Sequence, residues 1–406
     1  MNKSIMGRRW FGALAASLAL SVTALLGGCA APQATAIDNE LPFEQAVLQA
    51  TEGLVAQTQQ LPAFLAKLET KIAKRGVVLD NMIDADSGQQ TGVTRLLEQR
   101  VISHMTTKYE LFEILPFQGP NLQKAQYLLT GTMSRIPGSR SKKSFRLNLA
   151  LTELRTGKVV AQSSAISRDD GLDTNPTPYY RDSPVLVKDK VIEGYIRTTA
   201  TAPGQQADRV YLERITTSAL VNDATNLYNG ERYRDALAQY QNALSTPAGE
   251  QLRVLNGIYM SNVKLGRTAD AEKAFSRLVA FGVANNLLSV KFLFNPGGTE
   301  FWSDQRVSGA YGMWIRQIAR EAGSAKVCMN VVGHTSKTGS DQANESLSLQ
   351  RAQYVKQRLD AESPDLARRT KAVGVGFREN IVGSATDDAR DALDRRVEFK
   401  IVPCAA

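Results

Sequence analysis

The spacing of apolar positions changes period several times along the chain, and each change predicts a different element. Residues 10–26 form one nearly unbroken apolar run, preceded by Lys3, Arg8 and Arg9. From 43 to 69 the apolar positions (Ala46, Val47, Ala50, Leu54, Val55) recur at helical spacing, and Pro62 marks a break. Residues 76–80 read as a strand. Residues 91–109 read as an amphipathic helix, with Val93, Leu96, Leu97, Val101 and Ile102 on one side. Strands follow at 127–133 and 144–154; in the second, Phe145, Leu147, Leu149 and Leu151 alternate with polar residues, the period-two sign of a half-buried strand. Thr156 and Gly157 supply a turn, and 159–163 returns as the partner strand. Residues 40–168 are therefore expected to form an α/β unit with an antiparallel hairpin. Pro176, Pro178, Pro184 and the Pro203-Gly204 pair make 169–206 a loop-rich tail, a linker or a functional loop.

Residues 207–282 read as helices throughout. Ala236, Tyr240 and Ala243 mark one helix, and Ala271, Phe275 and Leu278 repeat the spacing 35 residues later. Turns are expected at Asn229-Gly230 and Leu265-Gly266. A period near 34 with small-then-aromatic packing positions is the tetratricopeptide pattern; a plain helical bundle is the open alternative. Beyond it, strands are expected at 291–294, 326–332, 371–376 and 396–402, with helices at 303–322 and 344–360. Leu347, Ala352, Val355 and Leu359 face inward on the second helix. The whole predicts a multidomain α+β protein: a small α/β domain with a loop-rich tail at 40–206, an α-helical repeat segment at 207–284 and a mixed α/β sandwich at 285–406.

Composition narrows the chemistry. The chain has 406 residues, with 49 Lys and Arg against 40 Asp and Glu, for a net charge of +9. It has two histidines, His104 and His334, and three cysteines, Cys29, Cys328 and Cys404. These are too scattered for a zinc site, and no nucleophile and base stand together. The expectation is a non-enzymatic protein without metal or cofactor. His334 is expected to be a packed structural residue, and Arg396 and Glu398 to alternate on the solvated face of the last strand. Nucleic-acid binding is disfavoured by dispersed charge and by a secretion signal at the start of the chain.

That signal rests on the basic residues, the apolar run and Leu26-Gly27-Gly28-Cys29. This segment resembles a bacterial lipobox. The resemblance implies a signal peptide at 1–28, a lipidated Cys29 and a small polar tether at 29–39. Ala30 after the cysteine implies the inner leaflet of the outer membrane, so a palmitate-type acyl anchor on the periplasmic face is expected.

The carboxyl-terminal part resembles the OmpA-like peptidoglycan-binding domain. The match rests on Gly333-His334-Thr335, on the segment from Leu347 to Ala352 and on Arg395, Arg396, Val397 and Glu398. It implies a pocket for the peptide stem of peptidoglycan, usually its diaminopimelate. Arg351 aligns with the guanidinium that meets the ligand carboxylate, a pairing that two parallel hydrogen bonds favour. Thr335, Asn344 and Arg395 align with other pocket positions. Ser336 stands where the family has the Asp that meets the ligand ammonium. Asp394 replaces a family Asn and Ile381 a family Pro. Binding intact through Arg351 and binding weakened by Ser336 are both open, with Asp341 or Asp394 as candidates for the missing charge.

In that fold the last strand runs antiparallel beside the strand carrying Cys328. This implies a Cys328–Cys404 disulfide worth roughly 2–4 kcal/mol, with two buried thiols as the alternative. The Leu129 to Thr132 strand, the alternating strand and the Thr156-Gly157 turn resemble the α/β domain of the curli-secretion lipoprotein and of lipoprotein activators of penicillin-binding proteins. The expected function is an outer-membrane lipoprotein that tethers to peptidoglycan and presents its repeat and α/β surfaces to an unknown envelope protein. The alternatives are a regulator of a peptidoglycan synthase or a structural component of a secretion or motility apparatus.

Overall fold

The computed structural model describes residues 40–59, 74–136, 144–168, 171–295, 298–383, 385 and 389–404. The predicted signal peptide, Cys29, the tether and the break at Pro62 lie outside the described residues. Among the described residues no helix is long and apolar enough to cross a membrane. The fold is mixed α+β.

The first part contains β1 (Glu40–Leu41), α1 (Phe43–Gln59), β2 (Arg75–Leu79), β3 (Ile83–Asp84), α2 (Gly92–Lys108), β4 (Phe112–Pro116), α3 (Gly119–Leu122), β5 (Tyr127–Arg135), β6 (Ser144–Glu153) and β7 (Lys158–Arg168). Thr91 caps α2 reciprocally with Thr94, which satisfies two backbone donors at the helix start. The strands form a sheet in the order β1-β7-β6-β5-β2-β4, with β3 beside β5. Alternate residues serve opposite faces. Val77 and Leu129 join α1 and α2 in one apolar cluster, while Val78 and Leu128 join a second cluster on the other face.

Helices from the tail and the next segment supply that second face. The tail's α4 (Pro178–Asp182) packs into a different apolar cluster; the helices on this face are α5 (Lys190–Thr199), α6 (Arg209–Leu212) and α7 (Ile215–Asn229). The stretch at 169–206 is thus corrected in its local structure. It carries two helices, and Tyr179, Tyr180, Val191 and Tyr195 are buried. Its prolines start helices or bridge them: Pro178 opens α4, where its missing N–H costs nothing.

Helices α8 (Tyr233–Leu244), α9 (Leu252–Lys264) and α10 (Thr268–Ala284) follow, with turns at Gly230 and Gly266. Ala236, Tyr240 and Ala243 are buried on α8, and Ala271, Phe275 and Leu278 on α10.

The last part contains β8 (Ser289–Val290), α11 (Gln305–Ser308), α12 (Tyr311–Ser324), β9 (Cys328–Gly333), α13 (Asp341–Glu362), β10 (Thr370–Gly374) and β11 (Val397–Val402). The sheet order is β10-β9-β11-β8, with β10 and β9 parallel and the other pairs antiparallel. The strand expected at 291–294 lies earlier, at β8. Since β11 begins at Val397, opposite Val290, residues beyond 290 have no β11 partner. The helix expected at 303–322 is two helices, parted at Gly309. Cys328 faces Val402 across β9 and β11, and Cys328 is disulfide-bonded to Cys404.

One apolar cluster runs from α4 and α7 through α10 into α12, α13 and the second sheet. Across it, the Trp314 indole N–H donates to the Tyr259 hydroxyl at 2.8 Å.

Candidate functional site

The site begins with two glycines. A Cβ on Gly333 would lie 2.1 Å from the Ser348 carbonyl oxygen, and one on Gly374 would lie 2.5 Å from the Leu349 nitrogen. Only glycine lets α13 settle this closely on the ends of β9 and β10. The Gly376 N–H then donates to Ser348 Oγ at 2.9 Å, which ties the turn after β10 to the helix. Asn344, Ser348, Arg351, Ala352, Val355 and Leu359 form the buried stripe of α13.

Thr335, Ser336, Asn344, Arg351 and Arg395 converge on a single cavity of about 800 Å³. Thr335, Ser336 and Arg351 are all at most 6% exposed. Thr335 donates its N–H to the Gly376 carbonyl at 3.0 Å, while its Oγ1 makes no hydrogen bond among the described residues. Arg351 Nε donates to the Gly298 carbonyl at 3.1 Å, and its guanidinium stacks 4.8 Å from the Phe294 ring centre. Both contacts hold the fork in one orientation. Asn344 has a supporting role: its Nδ2 donates to the Thr338 and Ser340 carbonyls at 2.6 and 3.0 Å, bracing the loop before α13.

Neither acid considered for the missing charge at Ser336 lines this cavity. Asp394 accepts the N–H groups of Ile381, Val382 and Gly383 at 2.7, 3.0 and 2.7 Å, so it closes a loop. Burial raises its carboxyl pKa, against those hydrogen bonds. Asp341 is exposed at the first turn of α13. Among the described residues, the carboxylate that does line the cavity is Asp304. It caps α11 and binds the Arg306 guanidinium at 2.6 Å, which holds its carboxyl below the usual range.

Sequence reasoning also missed residues from outside the carboxyl-terminal part. Gln89, Pro176, Tyr180 and Arg181 contribute to the wall, together with Lys291. The Lys291 ammonium donates to the Tyr180 and Arg181 carbonyls at 3.3 and 3.1 Å, and burial pushes it down to about 8. No local signal links these residues, because they meet only through the packing of three separate segments.

His334 is buried, as a packed residue should be, and burial lowers its pKa. Its neighbours differ from expectation. Arg396 is 4% exposed and pairs with Glu398 at 2.6 Å, so the two form a largely buried ion pair instead of a solvated face. Burial works against the Glu398 carboxylate, but His334 and Arg396 outweigh it and hold it well below its ordinary range. His334, Glu379 and Glu398 lie close enough together to suggest metal ligands. However, Arg396 and Lys400 already neutralise both carboxylates, which disfavours a cation there.

No family model matches the chain, and no curated protein matches it. Similar solved structures include the peptidoglycan-associated lipoprotein from Burkholderia pseudomallei. It is 23% identical, with a TM-score of 0.23, over 28% of this chain and 89% of that one. The cell wall anchor of the T6SS from Pseudomonas aeruginosa is 21% identical, with a TM-score of 0.25, over 31% of this chain and 95% of that one. The OmpA-like domain of FopA1 from Francisella tularensis subsp. tularensis is 19% identical, with a TM-score of 0.21, over 29% and 75%.

Proposed function

We propose that this chain is an envelope lipoprotein that holds peptidoglycan in the cavity between α13, the loop after β9 and the segment at 176–181. One observation carries the reading. Five residues singled out in sequence, separated by up to 60 positions, line one cavity of about 800 Å³. That volume suits a small ligand such as the end of a stem peptide. Arg351, held between Phe294 and the Gly298 carbonyl, is the carboxylate anchor. The protein acts by binding and not by catalysis. Acylated Cys29 ties it to the outer membrane, and the helices at 207–284 with the α/β part offer surfaces to an envelope protein partner. Anchoring and wall binding on one chain raise the local concentration of whatever that partner is.

Sedimentation of the chain from Ala30 onward with purified peptidoglycan tests the reading. Arg351→Ala is expected to weaken pelleting by about tenfold or more, and Arg351→Lys by less, since a charge without the fork keeps only part of the contact. Both variants should keep the wild-type helical circular dichroism. Equal pelleting of wild type and Arg351→Ala would refute the role of Arg351, and no pelleting of either would refute wall binding.

A further inference from the structure

We infer that the Trp302 indole is a stacking platform for an amino sugar of the glycan strand, a carbohydrate subsite at the rim of the peptide cavity. This deepens the peptidoglycan reading and rests on it.

The first support is one ring left over from an aromatic cluster. A short hairpin pairs Phe294 with Phe301. Phe301 stacks on Phe292 with 5.1 Å between ring centres, and meets Tyr311 and Tyr354 edge-on at 5.1 and 5.0 Å. Trp302, the next residue, makes no such ring contact among the described residues and is 37% exposed. Its backbone is nonetheless fixed. The Trp302 N–H donates to the Leu293 carbonyl at 2.9 Å, and the Asn295 N–H donates to the Glu300 carbonyl at 3.0 Å. The Ser303 N–H donates to Asn295 Oδ1 at 3.1 Å, and Arg351 holds the Gly298 carbonyl in the same hairpin. An uncovered indole on an ordered backbone gives up little freedom when a ligand covers it.

The second support is the place of this ring. Trp302 lines the cavity that holds Arg351, and it also lines a second groove of about 410 Å³. That groove presents Ser303, Gln305 and Glu362, all exposed, with no side-chain hydrogen bond among the described residues. A sugar ring has an apolar face of C–H groups and a rim of hydroxyl and amide groups. It is matched by an aromatic face with hydroxyl, amide and carboxylate side chains around it. The covalent structure of the ligand brings such a ring here. In peptidoglycan the stem peptide hangs from an amino sugar, with diaminopimelate as its third residue. At roughly 3.3–3.6 Å per extended residue, three residues span about 10 Å. That span is comparable to the width of a cavity of about 800 Å³, so a stem gripped at Arg351 leaves its sugar at the rim.

The test uses the chain from Ala30 onward, whose tryptophans are Trp302 and Trp314. Trp314 is buried, so acrylamide quenching reports chiefly on Trp302. The probes are soluble glycan strands stripped of their stem peptides by an amidase, and a synthetic stem tripeptide. Saturating strands should cut the quenching by about half or more, because stacking covers the ring, and the tripeptide should cut it less. Trp302→Ala should weaken the calorimetric Kd for the strands by about tenfold or more, and Trp302→Phe, which keeps a ring, by less than about threefold. Leu111→Ala, at another exposed apolar residue, is the control. Strands that bind but leave the quenching unchanged would overturn the inference. So would a Trp302→Ala variant that binds strands like wild type, or a tripeptide that shields Trp302 as fully as the strands do. If the strands do not bind while intact peptidoglycan still pellets the protein, the inference fails and wall binding stands. If neither binds, both fail.

Discussion

Glu98 is a carboxyl whose surroundings work against its charge. It accepts the Met82 N–H at 3.2 Å beside Asp80, which accepts the Tyr211 hydroxyl at 2.7 Å. Burial is the main cause that raises Glu98 to about 7 and Asp80 to about 6, and the nearby Asp80 adds to the rise at Glu98. A folded-state pKa above the ordinary value means the folded protein holds extra protons between the two. The stability this confers is complete below the ordinary carboxyl range and is lost as pH rises through about 7. Glu98→Gln should therefore stabilise the protein at pH 8 by up to about 3 kcal/mol, and the gain should vanish near pH 4. Thermal melts of both proteins at the two pH values check this; an unchanged difference would refute it. Residue scale is also where the sequence was least legible. Arg396 and Glu398 alternate as a solvated pair would, yet they are enclosed, because alternation along a strand gives the two faces without saying which one is covered.

At the scale of elements, the placing of α13 follows from what β9 and β10 leave open. Gly333 and Gly374 have no side chain at the two points where the backbone of α13 comes closest. Gly333→Ala would drive a Cβ into the Ser348 carbonyl, so the helix or the strand end must move. A loss of about 1–3 kcal/mol is expected in denaturant melts, and, on the proposed function, weaker pelleting with peptidoglycan, because Arg351 would shift with the helix. Wild-type stability in this variant would show that the contact yields without cost. The Gly333-His334-Thr335 segment was legible in sequence through the family resemblance of its motif, while the reason for its glycine, the approach of α13, is a tertiary contact. The tail at 169–206 was not. Its prolines and polar residues resemble a linker, while Tyr179 and Tyr195 become buried only because the sheet and α7 offer apolar faces to them.

At the scale of the molecule, the apolar cluster joining α7 to α10 with the second sheet makes cooperative unfolding the expectation. Trp314 stands at its middle, 8% exposed, stacked 5.7 Å from Phe275 and hydrogen-bonded to Tyr259. Gln317 also reaches Glu272 at 2.7 Å, so α12 and α10 share polar as well as apolar contacts. Trp314→Ala should destabilise by about 3–5 kcal/mol and lower one transition that the helical segment and the second sheet share. Calorimetry that resolves two transitions, only one of them moved, would refute this.

Periodicity and turn residues were enough to identify most elements, since backbone sterics and apolar spacing are local properties, while the residues of the carboxyl-terminal motif were identified through a family resemblance. The carboxylate at the cavity wall, the fastening of Arg181 beside it and the enclosure of Arg396 are not local properties. They arise where segments far apart in the chain meet, and the energy of a charge depends on every group packed around it, whatever its place in the sequence.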